Sequence, residues 1–203
     1  MNAGFFRRLA SFIIDFTIII ALVFTTFRIV GGPVLRDVVD GYEEAVIVYN
    51  NAMDEYLREL DRLQERLETN PNYTQEMYQE ERTAVENSFN EEYYEESQIV
   101  YTYWIYTFFY FAFFLTLANY LYQLGFKGYT LGRRLLKLRL SGKVTWWTLF
   151  VREVLWKSFF WLFTFSFGLA IDFGLIAFTR NRKTVRDYVS GTRVILDDVV
   201  YPF

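Results

Sequence analysis

The chain has 203 residues, of which 53% are hydrophobic, and its formal net charge is −3. It contains neither cysteine nor histidine, which excludes disulfides, thiolate metal sites and a histidine general base. Only carboxylates, lysine and tyrosine remain for acid and base chemistry. As separate expectations, the chain is not an enzyme and has no cofactor and no metal site.

The charges are strongly segregated along the chain. Residues 34–98 contain eighteen acidic residues and five arginines, a net charge of −13, whereas the rest of the chain has a net charge of +10. Loops rich in lysine and arginine stay on the cytoplasmic side of a membrane. This asymmetry predicts a cytoplasmic amino terminus, with residues 34–98 outside. The chain is expected to be a multi-pass protein of the plasma membrane.

Two apolar runs are long enough to cross a bilayer, which takes roughly twenty helical residues. Residues 9–27 contain Asp15 as their one charged residue, and residues 99–122 contain none. The first helix is predicted to cover about residues 6–29. It is expected to end at the glycines and proline of residues 31–33, because these residue types interrupt helices.

Residues 34–98 have the pattern of two polar helices joined by a turn. Over residues 42–68, apolar side chains recur at spacings of three and four, at Ala45, Tyr49, Ala52, Tyr56, Leu60, Leu63 and Leu67. Residues 70–72 indicate a turn, and Thr74 is the predicted N-cap of a helix that runs to Glu96. We predict an antiparallel hairpin with coiled-coil packing, either a spacer or an arm that binds a partner protein.

A third apolar segment, residues 156–178, has two interpretations. It contains Lys157 and Asp172 and is bounded by basic residues, namely Arg152 before it and Arg180, Arg182, Lys183 and Arg186 after it. A full crossing would put one basic cluster outside. A re-entrant segment bent near Gly168 would return both ends to the cytoplasm, where short strands at residues 136–140 and 192–196 could pair.

Four segments in order, residues 3–15, 128–140, 149–154 and 186–195, resemble the RDD family of small bacterial membrane proteins. The resemblance identifies Arg8, Asp15 and Asp187 as the arginine and the two aspartates for which the family is named. Residues 34–98 are much longer than the family's usual connection at this point.

The resemblance implies a transport function, with cation or proton exchange among the suggestions for the family. The alternative is a membrane-anchored interaction or assembly protein that acts through the outer hairpin. Because the membrane segments are few for a solitary transporter, we expect a homo-oligomer.

Asp15 lies about six residues inside the first apolar run, where an unpaired carboxylate is costly. Arg8 is about 10.5 Å away along the helix axis and leans away from it. The predicted partner is a base of another segment, Arg152 or Lys157. Alternatively, Asp15 is a proton or cation site on a transport path, together with Asp172 and Asn119.

A basic cluster follows the second membrane helix and consists of Arg133, Arg134, Lys137, Arg139 and Lys143. Next to a membrane helix it is expected to face anionic lipid head groups, not nucleic acid. The predicted fold is thus an all-α membrane protein with a small two-stranded pairing. Its parts are the first membrane helix, 1–33, the acidic hairpin, 34–98, and the rest of the membrane domain, 99–203.

Overall fold

The structure, a computed structural model, describes residues 3–160, 167–178 and 183–197. The fold is mostly helical. The chain divides into two compact units, one formed by Met1–Phe27 with Tyr110–Phe203 and the other by Arg28–Phe109. We call the first the ion-pair unit and the second the hairpin unit, after the features described below.

Helix α1 spans Phe5–Thr26 and continues as one wide π-helical turn, Phe27–Gly31, into helix α2, Gly32–Val38. The predicted end at residues 31–33 is therefore wrong. Pro33, which has no N–H to donate, lies just after the π-helical turn, where the regular i→i−4 hydrogen-bond pattern is already interrupted. The proline is thus compatible with a helix that passes through this point.

The buried face of α1 is polar in the first half of the helix and its exposed face is apolar, unlike a helix in a water-soluble protein. The buried face carries Arg8, Ser11, Asp15, Ile19 and Val23. Large apolar side chains, including Ile13, Leu22 and Phe24, are more than half exposed. Polar residues that face the interior and apolar residues that face outward are the arrangement expected in lipid.

The hairpin unit contains the long helices α3, Tyr42–Thr69, and α4, Gln75–Glu92. The side chain of Thr74 caps α4 by accepting a hydrogen bond from the N–H of Met77 at 3.3 Å. A small core forms where the two helices meet, around the buried side chains of Leu63, Tyr73 and Tyr78.

Helix α5 spans Tyr94–Gly125 and is separated from α4 by a single residue, Tyr93. Its aromatic side chains Tyr101, Trp104, Phe109 and Phe113 are about 60% exposed. Two helical stretches among the described residues, Phe5–Val38 and Tyr94–Gly125, are long and apolar enough to cross a membrane, and most of each apolar window is exposed. Both predicted runs thus have membrane-helix character.

The remaining elements of the ion-pair unit are short. They are helix α6 (Leu131–Leu135), strand β1 (Leu138–Ser141), helix α7 (Trp146–Phe150), a π-helical segment (Val151–Phe160), helix α8 (Phe167–Phe178), helix α9 (Val185–Val189) and strand β2 (Arg193–Leu196). Strands β1 and β2 pair antiparallel, with Leu138 opposite Leu196. Ala3, Leu138 and Val194 form a buried apolar cluster under this pair.

The third apolar segment is described in two pieces, the π-helical segment and α8. Residues 161–166 between them lie outside the described residues, as do Arg180 and Arg182. Helix α8 is continuous through Gly168 and Gly174. The choice between a re-entrant bend and a full crossing depends on residues 161–166 and remains a prediction.

Candidate functional site

Asp15 is bound by neutral hydrogen-bond donors from the end of α5, from the loop that follows it and from the start of α6. Its Oδ1 accepts from the N–H of Gly132 at 2.8 Å and from the hydroxyl of Tyr122 at 3.0 Å, and its Oδ2 accepts from the hydroxyl of Thr130 at 2.6 Å. The Tyr122 oxygen also accepts from the N–H of Leu131 at 3.1 Å. The carboxylate thus joins α1 to the end of α5 and the start of α6.

The prediction that a base of another segment bonds Asp15 is wrong. Arg152 and Lys157 line the same cavity as Asp15, but their hydrogen bonds go to other residues. A backbone amide and two hydroxyls supply three hydrogen bonds, and bonds of this kind to a carboxylate are charge-assisted. They satisfy the buried carboxylate without a salt bridge.

Arg8 and Asp187, two of the residues that the family resemblance identifies, form a buried ion pair. Nη1 of Arg8 lies 3.2 Å from Oδ2 of Asp187, and Nη2 of Arg8 donates to the carbonyl oxygen of Val194 at 2.7 Å. Arg8 therefore connects α1 to α9 and to β2. The third family residue, Asp15, lies on the same buried face of α1 but has separate partners.

Asp187 is also part of a capping box at the start of α9. The N–H of Thr184 donates to Oδ2 of Asp187 at 3.0 Å, and the Thr184 hydroxyl accepts from the N–H of Asp187 at 3.1 Å. Its Oδ1 accepts from Nη1 of Arg152. Burial would raise the pKa of Asp187, but Arg152, Arg186 and these hydrogen bonds outweigh burial and hold the pKa well below its usual range.

Arg152 is completely buried and connects three partners. Besides Asp187, it donates from Nη1 to the hydroxyl of Thr192 at 2.7 Å and from Nε to Glu153 at 3.2 Å. Through Asp187 and Thr192, Arg152 fixes the π-helical segment to α9 and to the turn before β2.

Glu153, which is also completely buried, is surrounded by bases. Its oxygens lie 3.2 Å from Arg152, 3.5 Å from Lys157 and 3.8 Å from Arg133, and one of them accepts from Asn119 at 3.4 Å. Burial would raise the pKa of Glu153, but the surrounding cations hold it well below its usual range. Lys157 also donates to Asn119 at 3.1 Å, so two of the predicted charge partners meet here.

Arg133 does not belong to the lipid-facing cluster predicted from sequence. It is 7% exposed, donates to Gln123 at 3.1 Å and to the carbonyl oxygen of Gly128, and approaches Glu153. Burial and the neighbouring Arg152 lower its pKa to about 10. Arg133 lies in α6, before β1, and its side chain is directed to Gln123 and Glu153 rather than to the exposed face of the cluster.

Asp172 forms a separate contact group on α8. It accepts from the indole of Trp156 at 3.3 Å and from the N–H of Val185 at 2.9 Å, and it lies 3.6 Å from Nε of Arg186. Asp172 therefore connects α8 to α9. The structure does not bring Asp172 and Asn119 into contact with Asp15, as the predicted transport path would require.

A cavity of about 40 Å³ lies at the centre of these contacts. Five basic side chains line it: Arg8, Arg133, Arg152, Lys157 and Arg186. The carboxylates in its lining are Asp15 and Glu153. Among the described residues, no group of three or more carboxylate, histidine or cysteine side chains is arranged to hold a metal ion. The lining therefore offers mainly hydrogen-bond donors.

Glu153 and Arg186 were not among the site residues predicted from the sequence. One signal was available, since only six of the 24 acidic residues lie outside residues 34–98. Four of these six, Asp15, Glu153, Asp172 and Asp187, are buried in the ion-pair unit. Rare carboxylates in a basic, apolar part of a chain are therefore good candidates for buried partners.

Comparison with known proteins agrees with this arrangement of motifs. The model of the RDD family matches residues 2–191, which is nearly the whole chain. No curated protein and no solved structure matches the chain. The chain therefore belongs to the RDD family, whose members are membrane proteins.

Proposed function

We propose that this RDD-family membrane protein transports a small ion and that the cavity of the ion-pair unit is where the ion binds. The observation that supports the proposal is the lining of this cavity, which combines five bases with two carboxylates. Three of its residues, Arg8, Ser11 and Asp15, come from the buried face of a helix that is long and apolar enough to cross a membrane. Ionisable residues on such helices commonly mark ion pathways.

The proposal includes an orientation in the plasma membrane. The amino terminus is cytoplasmic, and the acidic hairpin unit is outside. Four residues of the basic cluster, Arg134, Lys137, Arg139 and Lys143, are exposed and suit anionic head groups on the cytoplasmic face. Single cysteines at positions 70 and 143 test this orientation, because an impermeant reagent should label position 70, but not position 143, in intact cells. The opposite labelling pattern would contradict the orientation.

The proposal also includes the assembly state and the absence of catalysis. Two candidate spans among the described residues are few for a complete pathway. We therefore propose that copies of the chain assemble into a homo-oligomer. Separately, we propose that the chain catalyses no covalent reaction. Light scattering of the purified protein in detergent, corrected for bound detergent, measures the number of copies, and a monomer would contradict this part.

Ion flux in liposomes is the direct test of transport. Purified protein is reconstituted, and flux of Na⁺, K⁺, H⁺ and Cl⁻ is measured with ion-selective dyes. Lys157→Gln removes a charge from the cavity lining and should reduce flux strongly, whereas the matched change Lys143→Gln at an exposed position should not. Absence of flux for all four ions in a folded, reconstituted protein would contradict the proposal.

The second candidate function is binding of a partner protein by the hairpin unit. A groove of about 400 Å³ between α3 and α4 combines the rings of Tyr56, Phe89 and Tyr93 with the carboxylates of Glu55 and Glu59. Aromatic and acidic side chains together suit a basic partner. The test is co-purification of full-length protein compared with a Tyr56→Ala, Phe89→Ala double variant, in which recovery of a true partner should fall.

A further inference from the structure

We propose that the cavity of the ion-pair unit binds a small monovalent anion, for which chloride is the probe. This inference rests on the proposed function, because it assigns the charge of the ion held at the same site. It differs from the cation or proton exchange that the family resemblance suggests. Three observations support it: unpartnered donors, the balance of charges and the size of the cavity.

The first observation is that two arginines of the lining have donor atoms without an acceptor. Nη2 of Arg152 and Nε of Arg8 are buried and have no hydrogen-bond partner among the described residues. Both arginines line the cavity, and Arg152 is completely buried. A guanidinium group can only donate hydrogen bonds, so a species that satisfies these atoms must accept them. An anion does this and a metal cation cannot.

The carboxylates of the site are already occupied, which argues further against a cation. Asp15 accepts three hydrogen bonds from neutral donors. Asp187 accepts from Arg8, from Arg152 and from the N–H of Thr184. A cation would have to displace these donors to obtain oxygen ligands, whereas an anion needs no such rearrangement.

The second observation is the charge balance of the buried cluster. Its described members are the five bases of the lining and the four carboxylates Asp15, Glu153, Asp172 and Asp187. With all of these groups ionised, the cluster has a net charge of +1. One monovalent anion neutralises it, and uncompensated charge is costly among buried side chains.

The third observation is size. A cavity needs a volume of roughly 10–15 Å³ to hold a single water molecule. A cavity of about 40 Å³ therefore accommodates a halide ion with one or two water molecules.

Chloride binding is measured with the full-length protein in detergent, by the broadening of the ³⁵Cl nuclear resonance at constant pH and ionic strength. Wild-type protein should broaden the chloride line, and bromide should reverse the broadening by competition, whereas gluconate should not. Lys157→Gln lowers the charge of the cluster to zero and should weaken chloride binding about tenfold or more. Lys143→Gln, at an exposed position, should bind as the wild type does.

The outcomes separate this inference from the proposed function. No bromide-reversible broadening in wild-type protein would overturn the inference, whether or not Lys157→Gln folds. Equal binding by Lys157→Gln and Lys143→Gln would also overturn it, because the anion would then lie elsewhere. Chloride binding without flux in liposomes would support the inference while contradicting transport. Cation flux without chloride binding would support transport and contradict the inference.

Discussion

The backbone N–H of Gly132 lies 2.8 Å from Oδ1 of Asp15, so that α6 is in direct contact with α1. A Cβ atom at position 132 would come within 2.4 Å of the carbonyl oxygen of Ser11 and within 3.0 Å of the Asp15 carboxylate. Real contacts of a Cβ atom are essentially never shorter than 3.0 Å. The hydrogen bond to Asp15 therefore requires glycine at this position.

Gly132→Ala should destabilise the protein, because the carbonyl of Ser11 belongs to a helix backbone and cannot move away freely. We expect a loss of about 1–3 kcal/mol, the usual cost of overpacking. Thermal unfolding in detergent measures it. The control is Gly125→Ala, since no described atom lies within 4 Å of a Cβ at that position. Equal melting temperatures for the two variants would contradict the close contact.

Asp15→Asn should destabilise the protein modestly, by about 1–2 kcal/mol, because the amide keeps one oxygen as an acceptor but weakens bonds that are now charge-assisted. A second change, Arg152→Gln, should not restore stability, since Arg152 bonds Asp187 and Glu153 instead of Asp15. The double variant should be less stable than either single variant. Rescue in a double-mutant cycle would instead show that Arg152 is the partner of Asp15.

Stability should depend on pH in the acid range. The pKa values of Asp187 and Glu153 are held below their usual range in the folded protein. In the unfolded chain the pKa values of Asp187 and Glu153 are about 3.9 and 4.3. The two ionised carboxylates therefore stabilise the folded protein fully above these pH values, and this stabilisation is lost as the pH falls toward their pKa values in the folded protein. Melting temperatures in detergent should therefore fall below about pH 4. Asp187→Asn should show a flatter pH dependence, and an unchanged profile would contradict this assignment.

Leu63→Ala should destabilise the hairpin unit, because Leu63 is 1% exposed in its small core. The expected cost is about 2–5 kcal/mol, and it should appear as faster proteolysis near the turn at residues 70–72. Leu57→Ala is the matched control, since Leu57 is 49% exposed and its truncation should change stability by less than about 0.5 kcal/mol. Equal proteolysis rates for the Leu63→Ala and Leu57→Ala variants would contradict the packing of Leu63 in the core of the hairpin unit.

Replacement of residues 43–92 by a short glycine and serine turn should leave a protein that still inserts into the membrane. Neither candidate span, Phe5–Val38 or Tyr94–Gly125, includes these residues. Resistance to extraction by alkaline carbonate measures insertion. Release of the shortened chain into the soluble fraction would show that the hairpin unit is required for insertion.

Sequence alone was sufficient for the family and for the two helices of membrane character, because long apolar runs have few alternative explanations. The end of α1 was mispredicted because glycine and proline at residues 31–33 were treated as helix breakers, whereas Pro33 lies just after the π-helical turn, where it is tolerated. The pairing of Arg8 with Asp187 was not predictable from spacing, since 179 positions separate them.

The partner of Asp15 was mispredicted for a different reason. Electrostatic reasoning favours a base beside a buried carboxylate, and neutral donors such as the Gly132 amide have no signature in a single sequence. Arg133 and Glu153 show the same limit, because their burial follows from how α6 and the π-helical segment pack.

The distance in sequence between Arg8 and Asp187 also sets the timing of biosynthesis. A ribosome adds about 5–20 residues per second, so that Asp187 is made roughly 10–35 s after Arg8. During this interval α1 is complete, but its arginine has not yet met its carboxylate partner. A nascent chain that stops before residue 187 leaves Arg8 and Arg152 without this shared partner. The ion-pair unit can therefore complete its assembly only after residue 187 has been made.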